Sequence, residues 1–104
     1  MGKVIWQPKA LENIHAIYDY YYEYVSPQVA HDLLNDLLSA PDVLETYPEV
    51  GGVEPALTGL EYEFRYLVVR KSWKIMYFVL NDTCYIAFVW DTRSNPDSLP
   101  LMVD

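Results

Sequence analysis

The strongest constraint on this chain is strict alternation in its C-terminal half. Successive side chains of a β-strand point to opposite faces, so every second residue shares a surface. Over residues 62–69, 73–80 and 84–91, one such set reads Tyr62, Phe64, Tyr66 and Val68, then Trp73, Ile75, Tyr77 and Val79, then Cys84, Ile86, Phe88 and Trp90. It holds no charge, which predicts one buried sheet face. The complementary set mixes apolar residues with charges: Glu63, Arg65, Leu67 and Val69, then Lys74, Met76, Phe78 and Leu80, then Tyr85, Ala87, Val89 and Asp91. Asn81-Asp82 predicts a tight hairpin turn between the second and third strands, and Arg70-Lys71 marks the turn between the first two. Two-residue turns at both places would set Leu67 opposite Lys74 and Lys74 opposite Val89, with Arg65 and Asp91 diagonal to Lys74. On that register the second face is an open platform. Its apolar residues Met76, Phe78 and Val89, lying beside charges, mark it as a seat for a partner segment.

The N-terminal half reads as helical after a short strand at Val4–Trp6. Ala10, Ile14, Ile17, Tyr21 and Tyr24 recur at spacings of three and four and form a single apolar stripe. Ser26-Pro27 opens a second helix, serine as N-cap and proline where its missing N–H costs nothing. Ala30, Leu33, Leu34, Leu37 and Leu38 form its stripe, and Pro41 stops or kinks it, leaving one further turn up to Tyr47. So short a link between two amphipathic helices predicts an antiparallel pair. Pro48, Gly51, Gly52, Pro55 and Gly59 then mark a loop. The expectation is one α+β domain of order β-α-α-β-β-β, its helix pair packed on the uncharged face of a mainly antiparallel sheet.

Composition narrows the function classes. The 104 residues are 52% hydrophobic and suffice for one core. No apolar run approaches the roughly 20 residues that cross a bilayer, and no signal-type apolar stretch stands at the N-terminus, so a cytoplasmic protein without a membrane partner is expected. The one cysteine, Cys84, excludes an internal disulfide and a cysteine zinc cluster. His15 and His31 lie on different helices without cysteine partners, so neither a metal nor another cofactor is expected. Net charge is −8, unevenly placed: residues 1–58 carry two lysines against nine acids, whereas residues 59–104 carry five bases against six acids. A uniformly acidic surface is repelled by nucleic acid, so only the C-terminal half can present a basic spot. The run Asp19-Tyr20-Tyr21-Tyr22-Glu23-Tyr24 covers every side of its helix, placing rings such as Tyr20 and Tyr24 outside the domain's own core. A contact with a second copy, an inhibitor or a target would each account for them, as would a tyrosine-rich surface with no partner.

With these elements in place, the chain resembles the RelE/ParE superfamily, the toxin subunits of bacterial type II toxin–antitoxin modules, also labelled plasmid-stabilisation proteins. The resemblance runs from about Val4 to Leu99. It is carried by Trp6-x-Pro8-x-Ala10-Leu11, Ile17-Tyr18-x-Tyr20, Ser26-Pro27-x-x-Ala30, Tyr47-Pro48-x-x-Gly51, Phe64-Arg65-x-Leu67, Trp73-Lys74-Ile75-x-Tyr77 and Val89-x-Asp91-x-Arg93-x-x-Pro96. It implies two competing activities. RelE-like members cut mRNA in the ribosomal A site with basic side chains on the open sheet face, whereas ParE-like members inhibit DNA gyrase by binding it. Arg65 and Arg93 stand at family basic positions, Lys74 replaces the usual arginine, and Asp91 occupies the place often held by histidine. Glu54-Pro55 is similar to the pair that carries the general base of the YoeB type. RNA cleavage needs a base, cations around the phosphorane and an acid for the leaving oxygen. Glu54 would be that base and Arg65, Lys74 and Arg93 the cations, but no good acid remains, and Asp91 reads more simply as a partner of Lys74 or Arg93. The chain is therefore read as closer to ParE-like members: a binding-type inhibitor held by a cognate antitoxin. Tyr20, Tyr24, Met76, Phe78, Val89 and Asp91 are the candidate partner contacts. A ribosome-dependent nuclease and a decayed member that only binds its partner are the alternatives. Homodimers and toxin–antitoxin hetero-oligomers both remain open.

Overall fold

The computed structural model describes residues 2–103 and follows the order β1 (Lys3–Trp6), α1 (Pro8–Tyr24), α2 (Pro27–Ser39), β2 (Gly52–Val53), β3 (Arg65–Val69), β4 (Trp73–Leu80) and β5 (Thr83–Asp91). Short 3₁₀ segments at Ala40–Glu45, Pro55–Leu57 and Pro96–Met102 fill the connections. Proline opens both long helices, and the Ser26 hydroxyl accepts the Val29 N–H at 3.0 Å. Pro41 converts the end of α2 into the 3₁₀ turn, as its missing N–H requires.

The sheet order is β1-β5-β4-β3-β2, with β1 parallel to β5 and the other pairs antiparallel. This is the expected α+β layout with one extra strand, the two-residue β2, inside the segment read as a loop. The helix pair covers one face, where Ala10, Ile14, Leu33 and Leu37 pack on Val69, Trp73, Ile75, Tyr77, Cys84, Ile86 and Val89. Burial pushes the Cys84 thiol pKa up and leaves it a small apolar filler.

The open platform does not form. Leu57 and Leu99, from two of the 3₁₀ segments, seal the second face over Phe64, Met76, Phe78, Phe88 and Trp90. Both faces of β4 are apolar, and a strand apolar on both sides is stable only when covered on both. Met76 and Phe78 are therefore buried here, and Val89 is buried under the helices, so these three are not surface contacts.

Two register details redistribute the alternating sets. The β3–β4 loop holds three residues, Arg70, Lys71 and Ser72, the first two at φ 51° and 61°, so Leu67 faces Ile75 and Val69 faces Trp73. One extra loop residue turns all of β3 over relative to expectation. The Asn81-Asp82 turn is the expected two-residue one, at φ 51° and 64°. Further along, Tyr77 pairs with Ile86 but Met76 with Phe88, leaving Ala87 unpaired as a bulge. Beyond it Phe88 and Trp90 turn to the second face and Val89 to the helices.

Tyr77 ties the loop before β2 to the core. It is fully buried, its hydroxyl accepts the Gly51 N–H at 2.9 Å, and burial raises its phenol pKa. A Cβ at Gly51 would lie 2.5 Å from the Tyr66 carbonyl oxygen and 2.7 Å from that hydroxyl, so only glycine passes between them. Tyr77→Phe leaves the Gly51 N–H without a partner and is expected to cost about 1–2 kcal/mol, read as a lower urea midpoint at unchanged m-value.

Candidate functional site

The fold parts the four residues that RNA cleavage would need together, Glu54, Arg65, Lys74 and Arg93. On the second face Lys74 and Glu54 meet, Nζ to Oε1 at 2.7 Å, with the ammonium 4.0 Å from the centre of the Tyr66 ring. The other Glu54 oxygen accepts the Ala56 N–H at 3.1 Å and caps the Pro55–Leu57 turn. Only 4% of the Glu54 side chain is exposed against 24% for Lys74, so the carboxylate is enclosed and the ammonium is the wetter partner.

Arg65 lies on the opposite face, because its β4 partner Tyr77 belongs to the helix-side core. It donates to the carbonyls of Glu49 at 3.2 Å and Gly51 at 2.8 Å and to the Glu63 carboxylate at 3.1 Å. Its head is thus spent on holding the loop before β2 rather than offered to a ligand.

Arg93 lies at the other end of the helix-side face, beyond β5. Its Nε and one terminal nitrogen meet the two Asp91 oxygens at 2.9 and 3.0 Å, and its backbone N–H donates to the same carboxylate at 2.9 Å. The guanidinium stands 5.7 Å from the Trp73 ring. These donors hold the Asp91 carboxyl below the usual carboxylate range, while Asp91 and then the Tyr21 hydroxyl push the Arg93 pKa up. Glu54 and Lys74 thus come together, whereas Arg65 and Arg93 stand apart from them and from each other. The expected diagonal of Arg65 and Asp91 about Lys74 is lost to the three-residue loop and the bulge, which put both on the other face.

Tyr20 and Tyr24 are 57% and 74% exposed, and their rings pack on each other at 5.1 Å between centroids. Tyr18 and Tyr22 lie on another side of α1, facing α2, where both rings stand near His31. His31 is not merely solvated: its Nδ1 lies 2.7 Å from the Pro27 carbonyl and its Nε2 3.2 Å from the Tyr18 hydroxyl, fastening α2 to α1. Asn13, which the periodicity did not single out, accepts the Val89 N–H at 2.9 Å and pins α1 to β5 beside the bulge. No group of three or more histidines, cysteines or acids among the described residues is placed to hold a metal. No helix among them is long and apolar enough to cross a membrane.

A helix hairpin on a five-stranded mixed sheet, with β1 slotted in parallel beside the last strand, defines a small α+β domain. A family model described as "ParE toxin of type II toxin-antitoxin system, parDE" matches residues 4–96. The chain belongs to the ParE toxin family of type II toxin–antitoxin systems, in line with the resemblance carried by its motifs. Among solved structures, a chain from "Chromosomal ParDE TA system from P. aeruginosa" superposes with a TM-score of 0.73 at 21% identity, covering 88% of this chain and 96% of that one. At that identity the likeness speaks for the fold. No curated protein sequence matches the chain significantly.

Proposed function

We propose that the protein is a toxin subunit that acts by binding a target such as DNA gyrase rather than by cutting RNA, and that a cognate antitoxin neutralises it. The observation that carries this reading is the scattering of the cations. Lys74 is held by Glu54 on one face, while Arg65 and Arg93 sit at two ends of the other, each engaged by its own carboxylate. A phosphorane in flight needs its cations converged within hydrogen-bond reach. The candidate base fares no better, since Glu54 is enclosed and already bonded at both oxygens. Net charge −8 adds a general repulsion from RNA. Tyr20, Tyr24 and Asp91 remain the partner contacts of this reading, in a cytoplasmic setting, with a toxin–antitoxin hetero-oligomer as the resting form.

Two assays separate binding from cleavage. Purified protein is expected to trap DNA cleaved by gyrase and to leave toeprints of translating ribosomes uncut; a cut codon in the A site would assign it to the ribosome-dependent nucleases. Glu54→Gln supplies an independent check, because a general base contributes about 10²–10⁴-fold. Growth arrest by Glu54→Gln is expected within about twofold of the unaltered chain, whereas a loss of about a hundredfold in a folded variant would favour catalysis. Harmless expression without any antitoxin would instead point to a decayed member.

A further inference from the structure

We propose that the groove at the C-terminal end of α1 is a docking site for an arginine of the antitoxin, whose guanidinium takes the place of Arg93 between Asp91 and the Trp73 ring. This rests on the reading above in one respect, that the occupant belongs to the antitoxin. The groove has a volume of about 530 Å³ and is walled by Ile17, Tyr20 and Tyr21 of α1 and by Trp73, Asp91 and Arg93 at the sheet's end. The molecule itself displays the ligand chemistry that the groove accepts. One of its own guanidinium groups lies there, forked onto a carboxylate at 2.9 and 3.0 Å and set against an indole at 5.7 Å. Such a carboxylate–aromatic pair fits the flat, five-donor head of arginine and suits the round ammonium of lysine less well.

The occupant is held more loosely than the cage. Arg93 is 64% exposed and reaches Asp91 from two residues away on a surface turn, and exposed ion pairs of this kind are weak. Trp73 is buried, Tyr21 packs edge-on against it at 6.4 Å between centroids, and the β4–β5 pairing fixes Asp91 opposite Trp73. An incoming arginine therefore meets a rigid site with a removable resident. The charge of the molecule as a whole favours a cationic visitor: net charge is −8, and residues 10–64 carry eleven acids and not one lysine or arginine. Tyr20 in the groove wall and Tyr24 stacked on it beside the groove leave exposed ring surface for the residues that flank such an arginine.

The test needs neither antitoxin nor gyrase. N-acetyl-arginine amide is titrated into the full chain at constant ionic strength while the indole N–H signals of Trp6, Trp73 and Trp90 are followed by NMR. Self-occupancy lowers the apparent affinity by the fraction of cages that are free, so Arg93→Gln is expected to bind the probe about tenfold tighter than the unaltered chain, with the shift confined to Trp73. Adding Asp91→Asn to Arg93→Gln is expected to abolish that shift. Unmoved Trp6 and Trp90 signals show that the variants keep the fold, and Arg93→Lys serves as a second variant. Absence of a Trp73 shift in Arg93→Gln, or an equal response to N-acetyl-lysine amide, overturns the proposal. Because the probe acts on the toxin alone, a failure here leaves the gyrase reading standing, and a failure with gyrase leaves the cage standing.

Discussion

Lys74→Met is expected to lower the unfolding free energy by about 3 kcal/mol, the cost of stranding an enclosed carboxylate. With Lys74 gone, Glu54 keeps only the Ala56 N–H at 3.1 Å, and its other oxygen faces a space from which water is almost excluded. The reverse change is milder. In Glu54→Gln the amide still accepts from Ala56, and the Lys74 ammonium keeps the Tyr66 ring face and is close enough to solvent to hydrate, so about 1 kcal/mol is expected. Urea denaturation of both variants and of the double variant gives the pair's coupling, expected near 2 kcal/mol. Equal losses from the two single changes would show that Glu54 is as well hydrated as Lys74, contrary to the geometry.

Leu99→Ala is expected to cost about 3 kcal/mol, within the range for a leucine emptied from a packed core. Leu99 is the plug by which the Pro96–Met102 segment closes the second face over Met76, Phe88 and Trp90. The segment's other ties are shallower: Met102 and Val103 pack half-buried at the edge of the same cluster, and the Lys9 ammonium meets the Met102 carbonyl at 2.8 Å in an exposed bond. Hydrogen exchange should therefore show amides of residues 98–103 opening ahead of the sheet, and a dye for apolar surface should bind the variant more strongly. Leu101→Ala, two residues on and 77% exposed, is expected to change stability by less than about 0.5 kcal/mol. A similar loss at both positions would mean that the segment is not anchored at Leu99.

Local chemistry made the helix pair legible: the serine cap, the proline at each helix start and the apolar stripes all act within a few residues of themselves. The Asn81-Asp82 hairpin was readable for the same reason. Parity across the sheet was not. Arg70 and Lys71 adopt left-handed conformations with no glycine to announce them, and Ser72 joins the loop, so a two-residue turn and a three-residue one look alike in the letters. Ala87 gives no sign of its bulge either, since a small residue suits a strand interior equally well. These two single-residue offsets decide whether Arg65, Lys74 and Asp91 share a face, which is why the residues were legible as candidates and their arrangement was not. A clue to the covered platform lay in the complementary set, where Met76, Phe78, Leu80, Tyr85 and Ala87 are too apolar for a face left to water.

The pairing of residues 3–6 with residues 83–86 carries a consequence for the protein's synthesis. Within this sheet β1 is made first and has no neighbour until about eighty further residues have followed it, and the central β4–β5 hairpin also arrives late. A nascent chain therefore cannot complete this sheet while most of it is still being translated. Fragments ending before β4 would therefore carry the tyrosines of α1 without the sheet on which α1 packs.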